Sequence, residues 1–160
     1  MEKRQAGFTI IELLLTLGII ALLSTFTTVA LIRPQIKASV DTTATTLVAD
    51  VKQQQLKAMV GDSEDLASSQ TFGIYFEGNR YTLFRGSTYV AGDPNNFIVN
   101  LDTNINITDI TFLGNTLVFN KRSGEVAGFL PGQNSLVVKS TISSEQKTVT
   151  INRYGAIEIN

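Results

Sequence analysis

Cysteine and histidine are both absent from this chain of 160 residues, and so is tryptophan. Without cysteine there is no disulfide, no thiolate metal site and no cysteine nucleophile. Without histidine the chain lacks the commonest general base, the usual zinc ligand and every Ser-His-Asp triad. No glycine-rich phosphate loop of the P-loop kind occurs either. We therefore expect the protein not to be an enzyme, and we expect it to bind no metal and no cofactor.

Charge is also scarce, and neither sign dominates. Charged residues make up 17% of the chain, against roughly 25% in typical soluble proteins. Lysine and arginine number 13 and the acidic residues 14, which leaves a net charge of -1. Because no basic tail is present, no nucleic-acid partner is expected.

What the chain does have is one long apolar run, Leu13–Ile32, which contains no charged residue. A helix of twenty residues is roughly 30 Å long, which is the thickness of the hydrocarbon core of a bilayer. The alternative is a cleaved secretory signal, whose apolar region is only about 7–15 residues long. Because the run continues beyond Ser24, we expect a helix that stays in the membrane. Basic residues flank both ends, so the positive-inside rule does not decide its orientation.

A single carboxylate, Glu12, stands near the start of the apolar segment that begins at Phe8. An acidic side chain at the middle of a membrane helix costs roughly 2.5–3.5 kcal/mol, although near a helix end it can reach the interface. One interpretation is that Glu12 marks the membrane boundary. The other is a functional carboxylate, whose partner must then come from elsewhere because no basic residue lies within helical reach inside the span.

The segment GFTIIELLLTLGIIALLS, from Gly7 to Ser24, resembles the amino-terminal prepilin motif of type IV pilins and type II secretion pseudopilins. The match consists of a short charged leader that ends in glycine, then phenylalanine, a glutamate four residues later and an uninterrupted apolar helix. The resemblance implies that prepilin peptidase cleaves between Gly7 and Phe8 and methylates the new amino group. It also implies that the leader residues Lys3 and Arg4 remain on the cytoplasmic side. Glu12 would face the amino terminus of a neighbouring subunit in the assembled filament.

The domain organisation that follows has four parts. Residues 1–7 form the cleaved leader, 8–33 the transmembrane and assembly helix, 34–61 an amphipathic helix and 62–160 a β-rich domain. Pro34 removes one backbone hydrogen bond, so a kink or a new helix is expected there. An apolar stripe at helical spacing then follows, consisting of Ile36, Val40, Ala44, Leu47, Val51 and Ala58. Leu56 and Val60 lie off this stripe, which predicts that the last turns are buried on two sides, before Gly61 and Asp62 end the helix.

The remainder of the chain alternates in the manner of short antiparallel strands. The predicted strands are Thr71–Phe76, Tyr81–Arg85, Phe97–Leu101, Ile107–Phe112, Thr116–Asn120, Glu125–Phe129, Leu136–Ile142, Thr148–Asn152 and Ala156–Ile159. Turns are expected at 77–80, 121–124 and 154–155. The fold class is therefore α+β, with a long amino-terminal helix packed on a carboxy-terminal antiparallel β domain, as in type IV pilins.

Within the family, the strands LVFNKRSGEVAGF and TVTINRYGAIEI resemble the minor subtype known as pseudopilin H or FimT-like. The chain departs from many major pilins because it has no cysteine for a carboxy-terminal disulfide. The loop 92–96 has one carboxylate and two amides, which is a poor calcium site, and a plain turn is the expected structure. Two basic residues, Lys121 and Arg122, are expected to be solvated in a turn rather than bound to DNA.

Three functions compete. The first is a structural subunit, stored in the inner membrane with its carboxy-terminal domain outside the cytoplasm, that joins other pilin or pseudopilin subunits in a filament. The alternative is a binding module at a filament tip for DNA or an exported protein. The third, a surface enzyme that uses carboxylates such as Asp102, Asp109 or Glu125, is disfavoured because these acids are dispersed over strands and turns.

Overall fold

The computed structural model describes residues 7–61 and 70–160, without the side chains of residues 25–34. One α-helix, α1 (Ile10–Val60), precedes eight β-strands. The chain forms two compact units, Met1–Ile36 and Lys37–Asn160. The fold class is α+β with antiparallel sheets, as predicted.

The helix ends as its sequence predicts. Gly61 adopts a left-handed backbone with φ of 75°, and its N–H donates to the carbonyl of Lys57 at 2.9 Å. This is the usual glycine termination of an α-helix. At Pro34 the sequence predicted a kink or a new helix, and the structure gives one helix that continues through this residue.

Within the described residues, no helix is long and apolar enough to cross a membrane. Part of the predicted membrane helix, residues 25–33, has side chains that lie outside the described residues, and so do leader residues 1–6.

The predicted apolar stripe is the buried face of α1. Five of its six members are at most 2% exposed: Val40, Ala44, Leu47, Val51 and Ala58. The prediction that the last turns are buried on two sides is wrong, because Leu56 and Val60 are 59% and 75% exposed. They lie on the far side of the helix from the stripe. The sixth member, Ile36, is half-buried. A polar residue, Gln54, lies on the same face between Val51 and Ala58 and is 3% exposed.

The strands form two four-stranded antiparallel sheets. Their bounds are β1 (Phe72–Phe76), β2 (Arg80–Arg85), β3 (Phe97–Asn100), β4 (Ile105–Thr108), β5 (Thr116–Phe119), β6 (Ser135–Ser140), β7 (Gln146–Ile151) and β8 (Ile157–Ile159). The first sheet has the order β3-β2-β1-β5 and the second β4-β6-β7-β8. Side chains from both sheets join the helix stripe in one buried cluster. Burial of this apolar surface is the main favourable contribution to folding of the β domain.

Two predicted strands differ from the observed ones. Glu125–Phe129 is not a strand, and within it only Val126 forms an isolated bridge, to Phe119. Gly124 and Gly128 have φ of 66° and 62°, and such left-handed residues interrupt an extended strand. The second difference is β4, which begins at Ile105 and ends at Thr108 instead of spanning 107–112. Asp109 follows with φ of 48° and turns the chain away.

The predicted turn between β1 and β2 is confirmed, and an ion pair stabilises it. Arg80 Nε lies 2.6 Å from Glu77 Oε2, while β1 and β2 pair from Phe76↔Tyr81 onward. The hydrogen bond from Arg80 and its positive charge lower the pKa of Glu77 below its usual value.

Candidate functional site

The predicted cleavage site lies in non-helical chain just before α1. Gly7 and Phe8 are exposed, Phe8 at 83%, and the helix begins at Ile10. A Cβ atom added to Gly7 would meet nothing within 4 Å. No contact within the described chain therefore requires glycine at this position. A need for glycine would have to come from an outside partner that approaches the backbone closely.

Glu12 is placed by the cap of the helix. Thr9 precedes the first helical residue, and its Oγ1 accepts a hydrogen bond from the backbone N–H of Glu12 at 3.3 Å. The carbonyl of Thr9 accepts from Leu13 N–H at 3.2 Å. Threonine followed three residues later by glutamate is the pattern of a capping box. This cap fixes Glu12 in the first turn of α1, where a carboxylate also interacts favourably with the helix dipole.

The surface around Glu12 is apolar and uncovered. Every residue from Gly7 to Ser24 is exposed, including Ile10 at 82% and Ile11 at 77%. The hydroxyl of Thr16 donates to the carbonyl of Leu13 at 2.9 Å and that of Ser24 to Ile20 at 2.8 Å. These bonds satisfy the hydroxyl donors within the helix, which lowers the cost of placing them in apolar surroundings. A helix that is apolar on all sides needs lipid or other helices around it.

The predicted partner of Glu12 is not supplied by the described residues, because no lysine or arginine among them forms an ion pair with it. Lys3 and Arg4 lie outside the described residues. Gly7, Phe8 and Glu12 lie close together because they are near one another in the sequence. Sequence reasoning missed the role of Thr9, although the capping-box spacing is visible in the sequence.

The loop that was considered for calcium is a turn stabilised by its own side chains. Asp93 Oδ1 accepts hydrogen bonds from the backbone N–H of Asn95 at 2.8 Å and from its Nδ2 at 2.9 Å. These two bonds lower the pKa of Asp93 below its usual value. Residues 7–61 and 70–160 contain no group of three or more acidic residues that could hold a metal ion.

The carboxylates considered for an enzyme have local partners. Asp102 accepts a hydrogen bond from Ser39 Oγ at 3.1 Å, and Asp109 accepts one from Thr108 Oγ1 at 3.2 Å. Glu125 lies 3.8 Å from Arg153.

The arrangement defines a class of protein in which a helix with an exposed apolar surface and a single early carboxylate precedes a separate β domain. Residues 3–28 match the family model of the prokaryotic N-terminal methylation motif. The chain therefore carries the motif of type IV prepilins and pseudopilins, as the residues Gly7 to Ser24 predicted. The motif is consistent with processing by prepilin peptidase and with assembly alongside other pilins. No curated protein and no solved structure shows significant similarity to the chain.

Proposed function

We propose that the protein is a structural subunit, of the minor type, of a type IV pilus or a type II secretion pseudopilus, and that it is not an enzyme. In this proposal the helix 8–33 holds the subunit in the inner membrane as a single pass, with the β domain outside the cytoplasm. Prepilin peptidase removes residues 1–7 and methylates Phe8. The processed helix then carries the subunit into a filament.

The observation that carries the proposal is the combination of the methylation motif with the uncovered apolar surface of residues 10–24. Lipid covers this surface in the stored subunit, and the helices of neighbouring subunits cover it in the filament. Both environments are apolar, so the same side chains serve storage and assembly.

Glu12 distinguishes the two environments. In the membrane its position in the first turn of α1 lets the carboxylate reach the interface. Among packed helices it has no such outlet, and an adjacent subunit's amino terminus supplies the compensating charge. Losing one partner of a buried ion pair typically costs about 3–5 kcal/mol.

The experiment replaces Glu12 by leucine and, in a second variant, by glutamine of nearly the same shape. Both variants should insert and be cleaved after Gly7, because neither process needs the negative charge. Filament incorporation, measured by quantifying the subunit in sheared filaments, should fall at least tenfold for both.

The matched control is Thr16→Val, which removes a polar group one turn further along the same helix without changing charge. This variant should assemble normally. If Glu12→Leu and Glu12→Gln are cleaved and also assemble like the wild type, the pairing role is wrong and Glu12 only marks the membrane boundary.

A further inference from the structure

A core-facing aromatic side chain of the first sheet is left uncovered. Phe97 in β3 is the cross-strand partner of Leu83 in β2, and such partners project from the same face of a sheet. Leu83 is buried in the core at 7% exposure, whereas Phe97 is 65% exposed. The sheet therefore extends beyond the element that covers it, and its edge strand presents an apolar ring to an open space.

That space is a cleft of about 330 Å³ between α1 and the first sheet, which we call the β3 cleft. The residues that line it include Asp50, Gln54, Lys57, Phe72, Arg85 and Phe97. The volume lies at the lower end of the range for ligand-binding clefts. Apolar and polar side chains line the cleft together.

Two cations, Lys57 and Arg85, line the cleft, and the positive charge of Arg85 also helps to lower the pKa of Asp93. Lys57 Nζ lies 6.0 Å from the centroid of the Phe72 ring, and neither Lys57 nor Arg85 forms a salt bridge with a described residue. The one carboxylate that lines the cleft, Asp50, accepts a hydrogen bond from the hydroxyl of Tyr81 at 2.5 Å. The lining residues of the cleft therefore carry two positive charges and one negative charge, and this remaining positive charge favours an anionic group.

A buried polar atom lies in the wall of the same cleft. Gln54 is 3% exposed, and within the part of the chain that the structure describes its Oε1 has no hydrogen-bond partner. Buried polar atoms in folded proteins nearly always have one. Because Oε1 is itself buried, this atom supplies no contact for an occupant, and binding in the cleft depends on Phe97 and the cations.

The cleft runs beside an edge strand of the first sheet. β3 is the terminal strand of its sheet, and its sequence, Phe-Ile-Val-Asn, contains no charge and no proline. Ile98 on its other face is 51% exposed. With four residues β3 is a short edge strand, which limits pairing, but it lacks the charges, proline or bulge by which natural proteins also prevent an edge from pairing with another strand.

We propose that the β3 cleft binds an extended, acidic segment of a partner protein, which adds to β3 as an antiparallel strand. Arg85 follows Leu83 in β2 by two residues, and Leu83 pairs with Phe97, the first residue of β3. Lys57 lies near Phe72, which pairs with Arg85. Both cations are therefore close to the start of β3. An antiparallel partner strand ends there. The acidic side chain that meets Lys57 and Arg85 is therefore near the carboxyl end of the bound segment, and an apolar side chain before it covers Phe97. Main-chain hydrogen bonds supply affinity in this mode, and the cleft supplies selectivity.

The test uses the full chain in non-ionic detergent and three fluorescein-labelled, amidated peptides of seven residues. In the first peptide, valine and threonine alternate and the last residue is glutamate. The second has the same composition with glutamate first, and the third has lysine in place of the last glutamate. Fluorescence anisotropy should show that the first peptide binds at least about tenfold more tightly than the other two.

Substitutions then test whether the peptide binds at the β3 cleft. Lys57→Glu should lower the affinity for the first peptide about tenfold and raise the affinity for the lysine peptide. Phe97→Ser should lower the affinity for the first peptide. Leu113→Ser is the matched control, because Leu113 is a similarly exposed apolar residue at 75%, outside the cleft, and it should change nothing.

Equal binding of all three peptides, or binding that Lys57→Glu and Phe97→Ser leave unchanged, would overturn the proposal. So would an oligothymidylate that binds in a Lys57-dependent manner when the peptides do not, since the cations would then serve a nucleic acid. The β3 cleft lies within residues 37–160, so peptide binding there does not depend on assembly into a filament.

Discussion

Gln55 is the residue of α1 through which the two predicted turns of the β domain are held against the helix. Its Nε2 donates to the carbonyl of Gly124 at 2.9 Å and to the carbonyl of Tyr154 at 2.8 Å. A backbone bond also joins the turn 121–124 to α1, because the N–H of Arg122 donates to the carbonyl of Ala58 at 2.9 Å. Replacing Gln55 by alanine removes the two side-chain bonds and leaves the backbone bond in place.

The size of the effect follows from these two bonds. Each contributes about 0.5–1.5 kcal/mol net, so Gln55→Ala should lower the free energy of unfolding of the β domain by about 1–3 kcal/mol. The upper end applies only if water cannot reach the released carbonyls. In a domain of this size, each kcal/mol lowers Tm by about 4 °C.

Gln53→Ala is the matched control for this measurement. Gln53 has the same side chain in the same helix but is exposed, and no hydrogen bond from it is found among the described residues. The change in helix propensity is identical in the two variants and cancels in the comparison. Thermal unfolding of the full chain in mild detergent, followed by near-ultraviolet circular dichroism of the tyrosines, should give a clearly lower Tm for Gln55→Ala. Equal Tm values for the two variants would refute the reasoning that the Gln55 bonds hold the turns.

Two further predictions concern the β domain. Burial, and then the hydrogen bond to Asp50, raise the pKa of the Tyr81 hydroxyl well above the usual value of about 10. The folded state therefore favours the neutral hydroxyl. The contribution of this hydroxyl to the free energy of unfolding is complete below about pH 10 and is lost as the pH rises further. Unfolding midpoints measured from pH 8 to 11 should accordingly fall less steeply for Tyr81→Phe than for the wild type, and parallel slopes would contradict this. A fragment that begins at Gln35 should be soluble, monomeric and rich in β-structure by sedimentation and circular dichroism, because the buried cluster lies within residues 37–160. Aggregation of this fragment would show that the β domain needs the part of α1 that precedes Gln35.

The helix and its buried face were predictable because both depend on local periodicity. Val40, Ala44, Leu47 and Val51 recur at helical spacing, and all are buried. Pattern alone placed the terminal apolar residues wrongly, since Leu56 and Val60 are exposed. No residue property in the sequence reveals how far the β domain covers the end of a helix.

The strand errors have a different cause. Glu125–Phe129 and the segment after Thr108 have the composition of strands, but left-handed residues such as Asp109 and Gly128 interrupt them. Such backbone conformations are fixed by tertiary contacts and not by residue type alone, particularly for aspartate. The methylation motif was recognisable because its residues are contiguous. The β3 cleft was not, because it joins α1 to strands that are distant in sequence.

The measurement that tests the central claim most directly is the intact mass of the full chain after co-expression with prepilin peptidase. The account predicts loss of residues 1–7 and addition of one methyl group to the amino terminus of Phe8. Gly7→Val should retain Met1 and gain no methyl group, although the described structure leaves space for the side chain. A wild-type chain that keeps its first seven residues in the presence of active peptidase would contradict the account.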